Sequence, residues 1–324
     1  MPDPVPSSLR ILLLPDGKIG DLIQCRGVAA RLAEAQQIEE RVVEPDWFHA
    51  LPLPFIPVQK KDRPGQPGSP FPDTLPDLVL ASGRRTIPYL RSLRQMRGHN
   101  SRPLIVFLKD PRMGRRHADF VWAPVHDQLS GKGVISTHTS PHTLSAKALA
   151  QAAASAKTRF ADQATPRFGL ILGGDSGSVK WDSAMATDLV SQLEQIPSDT
   201  GIIATPSRRT PDVLMDAVQS FIDKRSGWLW NRSGINPYAE ILSHADTLIV
   251  TGDSHNMVSE CLASGRPVFV YRPKGLQPKL HRFLDAMEAQ GSVRPLSGGL
   301  VDFEPTKLDA TQEIAEAIGN QLNR

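Results

Sequence analysis

Small polar residues and a glutamate follow an apolar run in the segment Thr251-Gly-Asp-Ser-His-Asn-Met-Val-Ser-Glu260. Ser254 can cap a helix, which places Glu260 within about two turns of the cap. A carboxylate there can accept two hydrogen bonds from a vicinal diol, such as that of a ribose. The segment is therefore typical of a nucleoside site, although a helix glutamate that faces solvent would have the same spacing.

A glycine-rich loop, Gly173-Gly-Asp-Ser-Gly-Ser178, follows another apolar run in the same half of the chain. Its glycines let backbone amides approach a ligand closely, and its serines add hydroxyl donors. Such a loop suits phosphate oxygens. Together with the segment that ends in Glu260, the loop predicts a nucleoside diphosphate bound by the C-terminal half.

Two arginines, Arg208 and Arg209, precede the triplet Thr210-Pro-Asp212. This triplet predicts the start of a helix, with Thr210 as the cap and Pro211 as the first helical residue. Cations beside a helix N-terminus favour an anion. Plain capping next to surface arginines is the alternative interpretation.

The N-terminal half has polar clusters of its own after apolar runs, Asp16-Gly-Lys-Ile-Gly-Asp21 and Ala81-Ser-Gly-Arg-Arg-Thr86. In an open α/β sheet, ligands bind at the carboxyl ends of the strands. The polar clusters of both halves fall at predicted strand ends of this kind. We therefore expect these ends to face a ligand cleft.

The elements that position these clusters alternate between strand-like and helix-like runs. Most strand-like runs are continuously apolar, which fits strands covered on both faces, as in a parallel sheet. The predicted strands are 10–15, 41–44, 77–81, 103–108, 119–123, 168–172, 201–205, 228–230, 247–251, 267–271 and 293–296. The predicted helices include 20–36, 144–160, 182–195, 210–224, 254–264 and 276–290.

So many strands are too many for one sheet of this kind, and two domains are the simpler prediction. We place the boundary within 140–166, where an alanine-rich helix ends in a polar stretch. The predicted N-terminal domain is 1–150 and the predicted C-terminal domain is 165–324. The last helix is expected to pack back on the N-terminal domain.

Composition limits the classes of function. The net charge of the 324 residues is +3, which is too little to indicate a nucleic-acid partner, although it would suit an anionic ligand or an anionic membrane surface. The N-terminus lacks the apolar core of a secretory signal, and the two cysteines do not form a disulfide framework. We therefore expect a cytoplasmic protein, with peripheral contact to the inner membrane as a further option.

Several familiar motifs are missing from the sequence. It has no G-x-x-x-x-G-K-[ST] phosphate loop and no G-x-G-x-x-G after its first strand. His138 and His142 are spaced like metal ligands, but Pro141 disfavours a helix there and no Cys or acidic partner stands nearby. We predict no metal site.

A proline-rich segment at 47–61 combines aromatic residues with Lys60 and Lys61. One interpretation is a loop folded onto the first domain. The other is a patch that contacts a membrane or a lipid-linked substrate, with the aromatic rings in the interface and the lysines at anionic head groups.

Five motifs span most of the chain: D-G-K-x-G-D-x-x-Q at 16–24, A-S-G-R-R-T at 81–86, L-G-G-D-S at 172–176, T-P-S-R-R-T-P at 205–211 and T-G-D-S-x-x-M-V-S-E at 251–260. Together they resemble the mitochondrial-fission "elongated mitochondria" family. Eukaryotic members of that family are linked to recruiting a dynamin-related protein to mitochondria. The family usually has His where this chain has Asp21.

More distantly, the layout is similar to GT-B glycosyltransferases, especially the enzyme that adds N-acetylglucosamine to the lipid-linked peptidoglycan precursor. The resemblance implies an α/β fold of two Rossmann-like domains facing a cleft. It implies a diphosphate at Gly173-Gly-Asp-Ser176 and a ribose on Glu260. At the position of the usual histidine, Asp21 can serve as general base for a sugar hydroxyl, and the alternative is that the substitution changes or abolishes the activity. The implied donor-side residues are Gly173, Gly174, Ser176, Ser207, Arg208, Arg209, Thr251, Asp253, Ser254, Met257 and Glu260. The implied acceptor-side residues are Asp16, Gly17, Lys18, Gly20, Gln24, Arg84 and Arg85.

Three functional hypotheses follow. The first is a metal-independent, inverting glycosyltransferase that needs no cofactor, uses a nucleoside-diphosphate sugar and acts on an acceptor such as a lipid-linked or cell-envelope glycan. The second is a non-catalytic GT-B-like adaptor that recruits a partner through its surface. The third is a nucleoside-diphosphate-sugar epimerase, which would require bound NAD, for which the sequence offers no fingerprint.

Overall fold

A computed structural model describes residues 9–44, 46, 56–112 and 114–323. Residues 47–55, most of the predicted membrane-contact segment, lie outside the described residues. The chain forms two compact units. The first contains the described residues up to Thr143 together with Ala310–Asn323, and the second contains Leu144–Asp309.

The first unit is built on a parallel sheet. The order of its strands is β2-β1-β3-β4-β5-β6. The strands are β1 Ile11–Pro15, β2 Ile38–Glu40, β3 Leu78–Ser82, β4 Leu104–Leu108, β5 Phe120–Pro124 and β6 Val134–Thr137. Its α-helices are α1 Ile19–Leu32, α2 Ile87–Arg97 and, from the C-terminal end of the chain, α9 Ala310–Leu322.

The second unit has the same architecture, with strand order β12-β11-β10-β7-β8-β9, also parallel throughout. The strands are β7 Arg167–Leu172, β8 Gly201–Pro206, β9 Trp228–Leu229, β10 Thr247–Thr251, β11 Val268–Tyr271 and β12 Arg294–Pro295. The helices are α3 Ala146–Arg159, α4 Ser183–Leu193, α5 Asp212–Asp223, α6 Tyr238–His244, α7 His255–Ala263 and α8 Pro278–Ala289.

The continuously apolar strands are buried on both faces, as their sequence predicts. Every residue of β1 and β3 is buried, and separate apolar clusters cover the two faces of the first sheet. One cluster joins the inner side of α1 to α9, so the last helix completes the core of the first unit. Parallel strands require such double cover because their crossover helices lie on both sides.

Some predicted elements are wrong or missing. Residues 41–44 are not a strand, because β2 is formed by the preceding residues. The amides of Arg41 and Val43 nevertheless donate to two carbonyls of β1, those of Leu13 and Pro15. Sequence reasoning did not identify β6, α2 or α6. The alanine-rich helix α3 packs against α6 and lies in the second unit, which begins at Leu144.

Candidate functional sites

Three of the predicted donor-side motifs meet at one edge of the second sheet. Strand β7 lies between β8 and β10, so the segments that leave the carboxyl ends of these three strands are neighbours. They are residues 173–178, 207–210 and 251–260. The topology thus places the glycine-rich loop, the arginine turn and the start of α7 side by side.

Asp253 holds the glycine-rich loop against the end of β10. Its buried carboxylate accepts hydrogen bonds from Gly174 N at 2.9 Å and from the Thr251 hydroxyl at 2.6 Å. The Thr251 hydroxyl in turn accepts from Gly173 N at 2.7 Å. A side chain at Gly173 would come within 2.2 Å of the Asp253 carboxylate oxygens, so only glycine fits. Both glycine amides are therefore engaged within the protein.

Burial raises the pKa of Asp253 above its ordinary value. The hydrogen bonds from Thr251 and Gly174 oppose that rise because they stabilise the ionised carboxylate. The carboxylate is an acceptor that is already supplied with donors. Its position behind the loop is that of a structural clamp.

The rest of the glycine-rich loop is also bonded internally. The Ser176 hydroxyl accepts from Val179 N at 3.0 Å, and Ser176 N donates to the carbonyl of Val179. Asp175 accepts from Trp181 N at 3.0 Å and pairs with Lys180 at 3.2 Å. These interactions lower the pKa of Asp175, with the Trp181 amide contributing most.

Thr210 does not cap a helix, so that prediction is wrong. Helix α5 begins at Asp212 with Pro211 as its cap residue. The Thr210 hydroxyl lies within hydrogen-bond reach of the carbonyls of Leu172 and Gly173 and accepts from Ser207 N at 2.9 Å. The Thr210 hydroxyl, which the local sequence predicts to cap α5, therefore contacts the end of β7 instead.

The two arginines of this turn differ in their surroundings. Arg209 Nη1 donates to the Asp175 carbonyl at 2.9 Å, so its guanidinium braces the glycine-rich loop. Arg208 is exposed, and its side chain makes no hydrogen bond or ion pair within the described part of the chain. Arg208 is a cation that an anion could engage without breaking a hydrogen bond or ion pair among the described residues.

Helix α7 presents Glu260 as the sequence predicts. The Ser254 hydroxyl accepts from Met257 N at 3.4 Å, which is the expected cap. The Tyr238 hydroxyl, at the start of α6, donates to Glu260 Oε2 at 2.5 Å. Burial raises the pKa of Glu260, and the Tyr238 hydrogen bond opposes this; burial and the carboxylate also raise the pKa of Tyr238. Sequence reasoning missed Tyr238, for which only its place after β9 gave a signal.

The first unit carries a second polar cluster where β1, β3 and β4 end. Asp21, in the first turn of α1, is buried, and its Oδ1 lies 3.1 Å from Lys109 Nζ. Its Oδ2 is buried without a hydrogen-bond partner, as is Oε1 of Gln24 one turn further along α1. Lys109, directly after β4, was not among the predicted residues, although its position after an apolar run was a usable signal.

Asp16 and Arg85 form the other half of this cluster. Arg85 Nη2 donates to the Asp16 carbonyl at 2.8 Å, and its Nε lies 3.6 Å from the buried Asp16 carboxylate. Gly83 has φ of +93°, and a side chain there would collide with the Asp16 carboxylate. The other predicted acceptor-side residues are also exposed: Gly17 and Lys18 precede α1, Gly20 lies in its first turn, and Arg84 follows β3.

Two general features of the described residues bear on the site. No three His, Cys, Asp or Glu side chains among them gather as metal ligands would. Across the same ranges, no helix is both long and apolar enough to span a bilayer.

The sequence profile of the family described as Mitochondrial fission ELM1 matches residues 20–322. The chain belongs to this family. Among relatives, the Mitochondrial fission protein ELM1 of Arabidopsis thaliana is 24% identical over 279 residues, which cover 76% of this chain and 64% of the plant protein. An uncharacterised protein of Rickettsia prowazekii is 25% identical over 162 residues, 46% of this chain and 45% of that protein. The matches thus span less than two thirds of either relative.

Solved structures confirm that this member of the ELM1 family has a GT-B fold. MurG of Acinetobacter baumannii superposes with a TM-score of 0.50 at 13% identity, covering 97% of this chain and 92% of MurG. A UGT transferase of Siraitia grosvenorii in complex with UDP gives 0.51 at 12% identity, covering 96% and 90%. At such low identity the likeness is one of fold.

Proposed function

We propose that this chain is an inverting, metal-independent glycosyltransferase that takes a nucleoside-diphosphate sugar as its donor. The observation that carries the proposal is Glu260, presented by capped helix α7 at the carboxyl end of β10 and held by Tyr238 through one oxygen. The other oxygen, Oε1, remains to accept from a ribose hydroxyl, and Oε2 keeps a second acceptor site. Ligands of open α/β sheets bind at this edge.

Phosphate contacts in this proposal come from two groups. The first amides of α7 have no acceptor within their helix, and the helix dipole adds positive potential there. Arg208 supplies an exposed cation next to the glycine-rich loop. Gly173 and Gly174 then serve by letting the loop pack tightly against Asp253, since their amides are already bonded.

We assign the general base to Asp21 of the first unit. Its Oδ2 is a buried acceptor without a donor, and a sugar hydroxyl of the acceptor would supply one. As the hydroxyl oxygen bonds to the anomeric carbon, Asp21 takes the proton and the bond from that carbon to the diphosphate oxygen breaks. The nucleoside diphosphate leaves with its electron pair, stabilised by amides and arginine rather than by a metal.

The test is a thermal-shift screen against UDP, GDP, ADP, CMP and their sugar conjugates. UDP comes first because the Siraitia transferase is in complex with UDP. A nucleotide that binds only the folded state raises the melting temperature by mass action. We expect a shift for one base that disappears in Glu260→Ala and weakens in Tyr238→Phe. Glu304→Gln, an exposed change in the same unit, is the control. If no nucleotide shifts the well-folded protein, the proposal fails.

A second candidate, a non-catalytic adaptor with a GT-B fold, is favoured by one observation. The amides of Gly173 and Gly174, together with Asp175 N and Ser176 N, all donate inside the protein. A loop whose amides are satisfied needs no diphosphate to complete it. Complementation in cells separates the two candidates: a role that survives Glu260→Ala and Asp21→Asn is an adaptor role.

A further inference from the structure

A cavity of about 320 Å³ opens at the other edge of the first sheet, where β5 and β6 begin. Its charged lining consists of Arg115, Arg116, Asp119 and Lys132. Strands of a parallel sheet all begin on one edge and end on the other. The cavity is therefore separate from the polar cluster of Asp16 and Asp21, which lies where strands end.

The single carboxylate of this lining is already neutralised. Asp119 Oδ2 accepts from Arg97 Nη1 at 2.6 Å and from Ile105 N at 2.9 Å, and its Oδ1 lies 3.1 Å from Arg94 Nη1. Two arginines thus share one carboxylate before the cavity's own cations are considered. The charge of Arg115, Arg116 and Lys132 is left without a compensating acid in the cavity.

Arg115 uses its guanidinium on carbonyl oxygens, which compensate none of its charge. It donates to the carbonyl of Ser130 at 3.1 Å and to that of Lys132 at 3.0 Å. Both glycines that flank Lys132 have positive φ, +115° at Gly131 and +73° at Gly133. A side chain at Gly133 would meet the Asp119 carbonyl at 2.6 Å, so glycine brings this turn against the start of β5.

Two cations of the cavity remain available. The side chains of Arg116 and Lys132 are exposed and make no hydrogen bond or ion pair among the described residues. The neighbouring His117 reports the local potential: burial lowers its pKa first, and Arg116, Arg91 and Arg94 lower it further. Positive groups therefore approach this corner from the segment before β5 and from helix α2.

We propose that this cavity binds the phosphate group of a small phosphorylated molecule or of a lipid head group. Arg116 offers a planar fork that matches phosphate oxygens, and Lys132 offers a point charge on the facing turn. Arg115 fixes the turn that carries Lys132. A cavity of this volume holds a small anion. The Asp119 carboxylate does not neutralise the cavity's cations, because it is already paired with Arg94 and Arg97.

The first experiment titrates the whole protein with inorganic pyrophosphate by calorimetry at low ionic strength. The test variant is Arg116→Ala with Lys132→Ala, which removes two exposed cations of the cavity. The matched control is Lys157→Ala with Lys224→Ala, which removes the same charge from exposed positions in the second unit. We expect at least tenfold weaker binding in the test variant and less than a twofold change in the control.

The second experiment distinguishes a lipid from a soluble source. It measures sedimentation of the same proteins with phosphatidylcholine vesicles, with and without phosphatidylglycerol. Binding that needs phosphatidylglycerol and is lost only in the test variant assigns the cavity to a lipid head group. Pyrophosphate binding without a vesicle effect assigns it to a soluble phosphate. Equal behaviour of test and control variants, or no binding of either probe to the wild type, overturns the proposal.

Discussion

In the second unit, the buried carboxylate of Asp253 accepts from the Thr251 hydroxyl and the Gly174 amide. In the first unit, one buried carboxylate oxygen each of Asp16 and Asp21 has no donor. Both clusters stand at carboxyl ends of parallel strands and contain the same residue types. They differ in whether the protein itself supplies the donors.

This difference distinguishes carboxylates that stabilise a loop from carboxylates that could bind a ligand. A hydrogen-bonded buried carboxylate stabilises the loop that it holds, whereas an unpartnered one costs folding free energy and indicates a missing donor. In the proposed donor site of the second unit, the groups that would contact a ligand are accordingly Glu260 and Arg208. In the first unit, they are the buried oxygens of Asp21 and Gln24.

The largest expected effect is on turnover and concerns the first unit, where a buried carboxylate oxygen has no donor. Asp21→Asn removes the proposed base, and we expect release of nucleoside diphosphate from the donor to fall about 10²- to 10⁴-fold. The fold should be kept, because an asparagine oxygen can still accept from Lys109 Nζ and Oδ2 of Asp21 makes no hydrogen bond that holds the structure. Turnover is measured beside Asp73→Asn, an exposed change in the same unit. Equal turnover in both variants would remove Asp21 from the mechanism.

In the hydrogen-bonded cluster of the second unit, we expect the largest loss of stability from a substitution at Gly174. A side chain there would lie 2.1 Å from the Arg209 carbonyl, so Gly174→Ala should lower the free energy of unfolding by about 3 kcal/mol. Gly177→Ala is the matched control, since nothing lies within 4 Å of its added carbon. Urea denaturation measures both variants. A loss at Gly177 as large as at Gly174 would show that the loop is not held as described.

A paired substitution sharpens the comparison directly. Thr251→Val keeps the shape but leaves Gly173 N without an acceptor, which should cost about 2 kcal/mol. Gln24→Met removes a buried oxygen that has no donor, and stability should stay within about 0.5 kcal/mol. Denaturation curves of the two variants are compared with the wild type. Similar losses at both positions would contradict the distinction between the two clusters.

The smallest effect concerns Glu260 and pH. Burial raises the folded pKa of Glu260 above its ordinary value, so its stabilising contribution is present below the ordinary pKa and is lost as pH rises through the folded pKa. Glu260→Gln cannot ionise. The stability of this variant relative to the wild type should therefore increase from pH 4 to pH 7. A pH-independent difference would mean that Glu260 is not desolvated in the folded protein.

Much of the fold was predictable because it depends on local patterns. Apolar runs identified β1, β3, β4, β7, β8, β10 and β11, and the cap at Ser254 was confirmed by its bond to Met257 N. Strand β6 and helix α6 were not predicted, because each is short and flanked by polar residues. The predicted cap at Thr210 was wrong because its hydroxyl bonds to the end of β7 and not to the first turn of α5.

The sequence by itself determined that the chain is α/β, that its polar motifs follow strands and that Glu260 lies on a capped helix. Tertiary structure decided which polar groups are satisfied. Gly173 and Thr251 are 78 residues apart, and only the placement of β7 beside β10 joins the amide of one to the hydroxyl of the other. Hydrogen-bond partners across such a distance depend on strand order, which no local periodicity encodes.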